Sequence, residues 1–264
     1  MNPFSLPFMQ YAVAASLLSG VALSFIGLFI LVRRVSFSGL AVSQMAALGT
    51  VIGVVLGVHI GEFGFALAAV GAGMLLLDQF SKQHKVPQEI GVASLYILGA
   101  GASVLILSKA PGGESHTLSV FFGNVLSLGK FEIVESVSVL VLTVFILGFW
   151  FYRWLWLAFD SQSVEVSGIN CKRWNFLFHM LFALAMTVSI HIFGVLLAFS
   201  YLLLPAAAGL LLTNRIKTLV FFIPLYTALA TLAGYYFSFQ FDCPAGPFLS
   251  SLLALMVLLA GIWR

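Results

Sequence analysis

Charge is what this sequence has least of. Only 8% of its 264 residues are Asp, Glu, Lys or Arg, against roughly a quarter in soluble domains. Hydrophobic residues make up 61%. A core able to bury so many apolar side chains does not fit in a chain of this length, because small domains leave much of their surface wet. The remaining solvent is lipid. Cysteine is also scarce: Cys171 and Cys243 are the only two, without C-x-x-C spacing, so redox chemistry has little support. Enzyme motifs are missing. There is no H-E-x-x-H, no G-x-S-x-G and no pair of carboxylates at helical spacing in an apolar run. The stretch from Gly123 to Lys130 looks superficially like a phosphate loop. It has five residues between its glycines where four are needed, and Phe131 follows the lysine in place of Ser or Thr. Any ATP-driven work therefore calls for another subunit. No linker, repeat or low-complexity run divides the chain, which reads as one domain, 1–264.

What is there is a series of apolar runs. About 20 such residues cover the hydrocarbon layer. Nine candidates stand out: 8–32, 39–58, 63–78, 90–108, 133–152, 174–192, 195–213, 218–238 and 248–263. The third and ninth are short and the sixth and seventh nearly touch, so the count is eight or nine. Backbone that meets lipid must pair its own amides, which makes every span helical. The expected fold is an all-α polytopic membrane protein.

The basic residues orient it. Lys and Arg near span ends stay cytoplasmic. With the first linker inside, Arg33, Arg34, Lys82, Lys85, Arg153, Lys172, Arg173, Arg215, Lys217 and Arg264 face the cytoplasm, and only Lys109 and Lys130 face out. That is ten of the twelve, so the N-terminus is expected outside and the C-terminus inside. The net charge of +3 is then a property of the flanks, and nucleic acid is not expected as a partner. Nor does the N-terminus read as a cleavable signal: no basic residue precedes Phe8, and Arg33-Arg34 follows the apolar run. Cys171 and Cys243 fall on opposite sides and are not expected to pair.

Ionisable residues at membrane depth are the default functional candidates. Three qualify: Glu135, His179 and His191. Glu135 lies within a turn of its span's outer end, where snorkelling to water accounts for it. His179 sits about two turns inside the cytoplasmic boundary, and His191 is close to the break at Gly194. A hydrogen bond to a neighbouring helix is weighed above metal ligation for both, and both are kept as candidate metal ligands. In the outer loops, Glu114 with His116 and Asp242 with Cys243 carry suitable ligand atoms; solvated loop residues are the plainer reading. Gly49, Gly53 and Gly57 recur every four residues, a spacing that lets a second backbone approach one helix face. Gly71 with Gly73, and Gly99 with Gly101, suggest other thin places. The cytoplasmic loop 154–173 is the most polar segment. Its stretch from Ser161 to Val166 predicts a short helix, capped by Asp160 or Ser161 and ended by Gly168.

Several fragments together resemble the membrane permease subunits of bacterial ABC transporters for zinc, manganese and iron. Arg33-Arg34-Val35-Ser36-Phe37 is similar to that family's R-R-M-S-[LF] signature, and Phe122-Gly123-Asn124-Val125-Leu126 to its F-G-[ND]-[IL]-L segment. Phe159-Asp160 through Val164 to Gly168-Ile169-Asn170 resembles F-D-x-x-x-A-x-x-x-G-[IV]. Gly194-Val195-Leu196-Leu197, then Leu204-Pro205-Ala206-Ala207-Ala208, resemble G-x-L-L and L-x-P-A-A. Asp242 to Pro247 is similar to D-x-P-[AS]-G-[PA]. All five stand in the family's order. The resemblance implies a fold like that of type II ABC importers, in a multi-pass protein of the bacterial cell membrane. It implies a permease homodimer or heterodimer in the bilayer, two cytoplasmic ATPase subunits that use the ATP, and an extracytoplasmic substrate-binding protein. No cofactor would be bound by this chain, and the metal ion would be cargo. Asp160, Val164 and Gly168 would belong to the segment that couples to the ATPase, with Val164 where the family prefers alanine.

The resemblance breaks at one place. After the basic pair the family reads G-D-x-x-x-H, whose Asp and His are the expected pathway ligands. This chain reads Gly39-Leu40-Ala41-Val42-Ser43-Gln44. Leu40 ligates nothing, and Gln44 offers a carbonyl, a poor zinc ligand beside imidazole. The metal site lies elsewhere, or a second permease carries the ligands, or the cargo is not a bare divalent ion. The expectation is an importer of zinc, manganese or iron. Its alternatives are a metal-chelate importer and a non-transporting or sensory membrane subunit. A secondary transporter fits less well, since neither strongly polar residues at mid-membrane nor inverted halves are evident.

Overall fold

The computed structural model describes residues 7–33, 36–57, 62–82, 88–110, 122–123, 130–159 and 161–263. The readings placed on Arg34, Val35, Lys85, Glu114, His116, Asn124 to Leu126, Asp160 and Arg264 lie outside the described residues.

All described elements are helices: α1 (Pro7–Val32), α2 (Ser36–Val55), α3 (Glu62–Lys82), α4 (Gln88–Leu107), α5 (Lys130–Phe149), α6 (Phe151–Phe159), α7 (Ser161–Val166), α8 (Cys171–Leu212), α9 (Ile216–Gln240) and α10 (Ala245–Trp263). Six of them are long and apolar enough to cross a membrane, or seven if α5 and α6 form one broken span. The apolar part of α3, Gly64–Leu77, is shorter.

α8 is the organising element. Its 42 residues would measure about 63 Å if straight, twice the hydrocarbon thickness. The two apolar runs expected on either side of a short break are therefore two helices joined at Gly194, whose backbone at φ 79° and ψ 169° is not helical. Asn170 starts α8 by accepting from the Arg173 amide with its side chain (3.1 Å), and Thr213 ends it by donating its own amide to Gly209. α1 lies along α8 and also meets α9; α2 packs on α3, α4 and α8; α10 rests on α8 and α9.

Little hydrophobic force draws helices together in lipid, so close packing has to do it. Small residues supply the contacts. A Cβ on Gly27 would collide with the Leu202 carbonyl of α8, and one on Gly49 with the backbone of Phe65 and Ala66 in α3. Only part of the expected glycine ladder works this way. Gly57 lies beyond the end of α2 at φ +69°, where it turns the chain, and no described residue packs against it. Likewise Gly73 and Gly99 face α2 closely, whereas no described residue comes near Gly71 or Gly101.

A second departure concerns the run 133–152. α5 ends at Phe149 and α6 leaves it at 67°. The bend is held from inside: Trp154 is fully buried, with its ring 5.0 Å from Trp174 and 5.8 Å from Phe178 of α8. Those aromatic contacts hold α6 against α8.

Candidate functional site

Three places gather the residues that sequence reasoning singled out. The first is α2. Leu40 and Gln44 lie one turn apart on it. Leu40 is half-buried, and its carbonyl accepts a hydrogen bond from Ser43 Oγ at 2.8 Å. Gln44 is 5% exposed, and its Oε1 is buried with no hydrogen-bond partner among the described residues. α4 presses onto the Gln44 backbone at Gly99, where a Cβ would sit 2.7 Å from the Gln44 carbonyl carbon. Next to this, Gly39 brings α2 against Leu202 of α8. The position thus holds one neutral amide oxygen and no charge. That is weak coordination chemistry for a divalent ion.

The histidines do not add to it. His179 Nδ1 lies 2.7 Å from the Asn175 carbonyl oxygen, so it carries the proton and donates within its own helix rather than to a neighbour. His191 is half-buried, one turn before Gly194. Twelve residues of one helix separate the two rings by about 18 Å, which rules out a shared ion. Among the described residues no group of three or more His, Cys, Asp or Glu is arranged to hold a metal ion. Glu135 falls within α5, and its side chain is outside the described set.

The second place lies at the kink of α8. Gly123, at φ +78°, is so close to the Phe193 backbone that no Cβ fits between them. A Cβ on Gly246, at the start of α10, would meet the Phe122 carbonyl oxygen at 2.5 Å. Three fragments distant in sequence, 122–123, 193–194 and 242–247, therefore form one junction. Its turn is tied internally: Cys243 donates its amide to Ser238 (3.0 Å), and Ser238 Oγ donates to the Cys243 carbonyl (2.7 Å). Asp242 takes up a left-handed backbone, φ 52°. Cys171 and Cys243 form no disulfide with each other.

The third place is the segment 151–170. α7 forms where the sequence predicts it, and Gly168 ends it at φ +79°. The Gly168 and Ile169 amides close the turn onto the carbonyls of Glu165 and Val164 (3.0 and 3.4 Å). Val164 is fully buried whereas Val166 is 90% exposed. One side chain anchors the short helix and its opposite face is presented outward.

The profile of the ABC 3 transport family matches residues 5–264. This chain belongs to that family. The manganese transport system membrane protein MntC of Halalkalibacterium halodurans is 26% identical over 248 residues, 92% of this chain and 82% of the relative. The chelated iron transport system membrane protein YfeD of Yersinia pestis is 25% identical across this whole chain and 88% of its own length. Among solved structures, a chain of PsaBC from Streptococcus pneumoniae, in complex with Fab, superposes with a TM-score of 0.87 at 19% identity, covering 97% of this chain and 91% of that one. The fold is shared with it.

This ABC 3 family chain also carries polar residues that sequence reasoning passed over. Arg33, read there as a flank charge and as part of a signature-like fragment, clamps α1 to α8: Nη1 donates to Asn175 Oδ1 at 3.0 Å, and the guanidinium lies 5.0 Å from the centre of the Phe178 ring. Burial lowers its pKa below the ordinary arginine value. Deeper in, Tyr201 shares a hydrogen bond with Thr231 (2.8 Å), and Ser16 shares one with Tyr235 (2.6 Å), linking α8 to α9 and α1 to α9. Single hydroxyl-bearing residues in apolar runs give no sign of their partners, so only the structure reveals these pairs.

Proposed function

We propose that this chain is the membrane permease subunit of an ABC importer that passes a divalent transition metal ion, zinc, manganese or iron, into the cell. The observation that carries the reading is the family match over residues 5–264. The metal comes from the relatives, one named for manganese and one for chelated iron transport. The chain would cross the bilayer nine times, α8 contributing two passes around Gly194. The distribution of Lys and Arg supports an outer N-terminus and an inner C-terminus.

In this reading two permeases pair in the membrane, two ATPase subunits attach on the cytoplasmic side, and a binding protein delivers cargo from outside. The chain itself hydrolyses nothing and binds no cofactor. ATP binding draws the ATPase subunits together. Asp160, Val164 and Gly168 belong to the segment that passes this movement on, and α7 suits the task because Val164 seats it in the membrane domain. The outer junction at Gly123, Phe193 and Gly246 lets the halves of α8 re-pack as access alternates. Leu40 and Gln44 line the pathway at the family's ligand positions, and a single neutral carbonyl there favours passage over retention, since conduction needs weak sites.

Leu40 favours a second reading. An aliphatic side chain at that position suits a cargo whose metal is already ligated, so a metal chelate is the alternative. Uptake by vesicles holding the complete complex separates the two. ATP-dependent accumulation of radiolabelled manganese, zinc or iron is expected. Accumulation of an iron chelate but no free ion would move the cargo to the second reading. No ATP-dependent accumulation of either would overturn the transport role and leave a non-transporting subunit.

A further inference from the structure

An aromatic stripe runs down the outside of α5 and continues along α6. Phe145, Phe149, Tyr152, Trp156 and Phe159 follow one another at spacings of four, three, four and three, and each is between 43% and 76% exposed. Within each helix that spacing keeps Phe145 with Phe149, and Tyr152 with Trp156 and Phe159, on one face. The Phe145 and Phe149 rings stack at 6.3 Å. The opposite face of α6 is committed to the protein interior through Trp154, Leu155 and Leu157. Such a helix has two apolar sides, and among the described residues only one is covered.

The bend tells what covers the other. Past its charged start, α5 runs from Ile133 to Phe149, about 25 Å and most of the thickness of the hydrocarbon layer. Its charged Lys130, Glu132 and Glu135 occupy the first two turns, at the far end from α6. α6 therefore begins near the opposite membrane boundary. An upright α5 leaves a helix bent by 67° only about 23° from the membrane plane, so along its nine residues it descends by about 5 Å. The exposed residues change accordingly, from phenylalanines on α5 to Tyr152 and Trp156 on α6. Tyrosine and tryptophan favour the headgroup level, where an apolar ring and a polar tip are both satisfied. Arg153, beside the stripe, is held 4.8 Å from the centre of the Trp174 ring and brings positive charge to the same level.

We infer that α6 is an interfacial helix whose Tyr152–Trp156–Phe159 face is seated in the headgroup region of the bilayer. The occupant is lipid. The stripe follows the exposed phenylalanines of an apolar helix, and its side chains are those a bilayer boundary selects. The helix would tether the segment leading into α7 to the membrane surface. The inference needs only the membrane-spanning fold, so it stands or falls apart from the cargo.

The test places a nitroxide label singly at Tyr152→Cys, Trp156→Cys and Phe159→Cys in the full chain carrying Cys171→Ser and Cys243→Ser. The chain is reconstituted in vesicles of phosphatidylethanolamine and phosphatidylglycerol. Phe145→Cys gives the lipid reference and Val166→Cys the aqueous one. Collision with oxygen relative to a water-soluble nickel chelate is expected to fall between the references, decreasing in the order 152, 156, 159. Values equal to those at 166 would put the face in water and overturn the inference. Shielding from both reagents would do the same, because it means a second copy or another protein covers the stripe. A companion measurement keeps native side chains at the other two positions. A headgroup-labelled quencher lipid should quench less of the tryptophan emission in Trp156→Phe than in the unaltered chain, and an unchanged quenched fraction counts against the inference.

Discussion

Replacing Gly194 with alanine is the sharpest test of how α8 is built. At φ 79° and ψ 169° the backbone occupies a region that is essentially glycine-only, and forcing another residue into such a conformation costs about 1–3 kcal/mol. Relaxation is blocked on two sides, because the Phe193 backbone touches Gly123 and lies close to Gly246. The upper half of that range is therefore expected. A chain of this size loses about 2–4 °C of unfolding midpoint per kcal/mol, which predicts a drop of about 4–12 °C. The assay is the temperature at which detergent-solubilised protein loses its monodisperse elution peak. Every variant is heated at one rate, since such unfolding is often irreversible. Gly71→Ala is the control. That glycine is helical with open space where the Cβ would go, and alanine there should be neutral or stabilise by up to about 1 kcal/mol. Equal midpoints for Gly194→Ala and Gly71→Ala would refute the idea that a single strained residue breaks α8.

Two further outcomes follow from packing in the membrane. Gly99→Leu should drive α4 off the Gln44 backbone and cost about 1–3 kcal/mol by overpacking, read as reduced folded yield, whereas Gly101→Leu faces open space and should express normally; the same yield for both would disprove the tight α2–α4 contact. A double-mutant cycle of Tyr201→Phe and Thr231→Val should return a coupling of about 0.6–1.7 kcal/mol for the buried 2.8 Å hydrogen bond, and zero coupling in detergent-solubilised protein would remove that bond from the account.

Helicity, membrane residence and the order of the apolar runs were legible in the sequence because they follow from solvent alone. Runs near 20 residues have one viable backbone in lipid, and the helices duly form from α1 to α10. The short helix 161–166 was legible for a local reason, since a polar start and a following glycine mark its limits. Glycine spacing was a poorer guide. It flags where a backbone is able to approach but not whether one does, and so Gly57, Gly71 and Gly101 look like packing residues yet pack against none of the described residues. His179 is a similar case. Its Nδ1 bonds a carbonyl four residues back on its own helix, a partner that apolar patterning does not point to.

Solvent preference and short-range backbone chemistry act over a few residues, so the sequence alone determined a lipid-embedded helical chain, its basic flanks, its short polar helix and the missing charge at Leu40 and Gln44. Contacts across the chain are set by which surfaces fit together. Only the tertiary structure brought 122–123, 193–194 and 242–247 to one junction, paired Arg33 with Asn175, closed α4 over Gln44, and turned α6 by 67° away from α5. In a bilayer all apolar faces are equally content with lipid, and the choice between them falls to steric complementarity, which no one-dimensional pattern records.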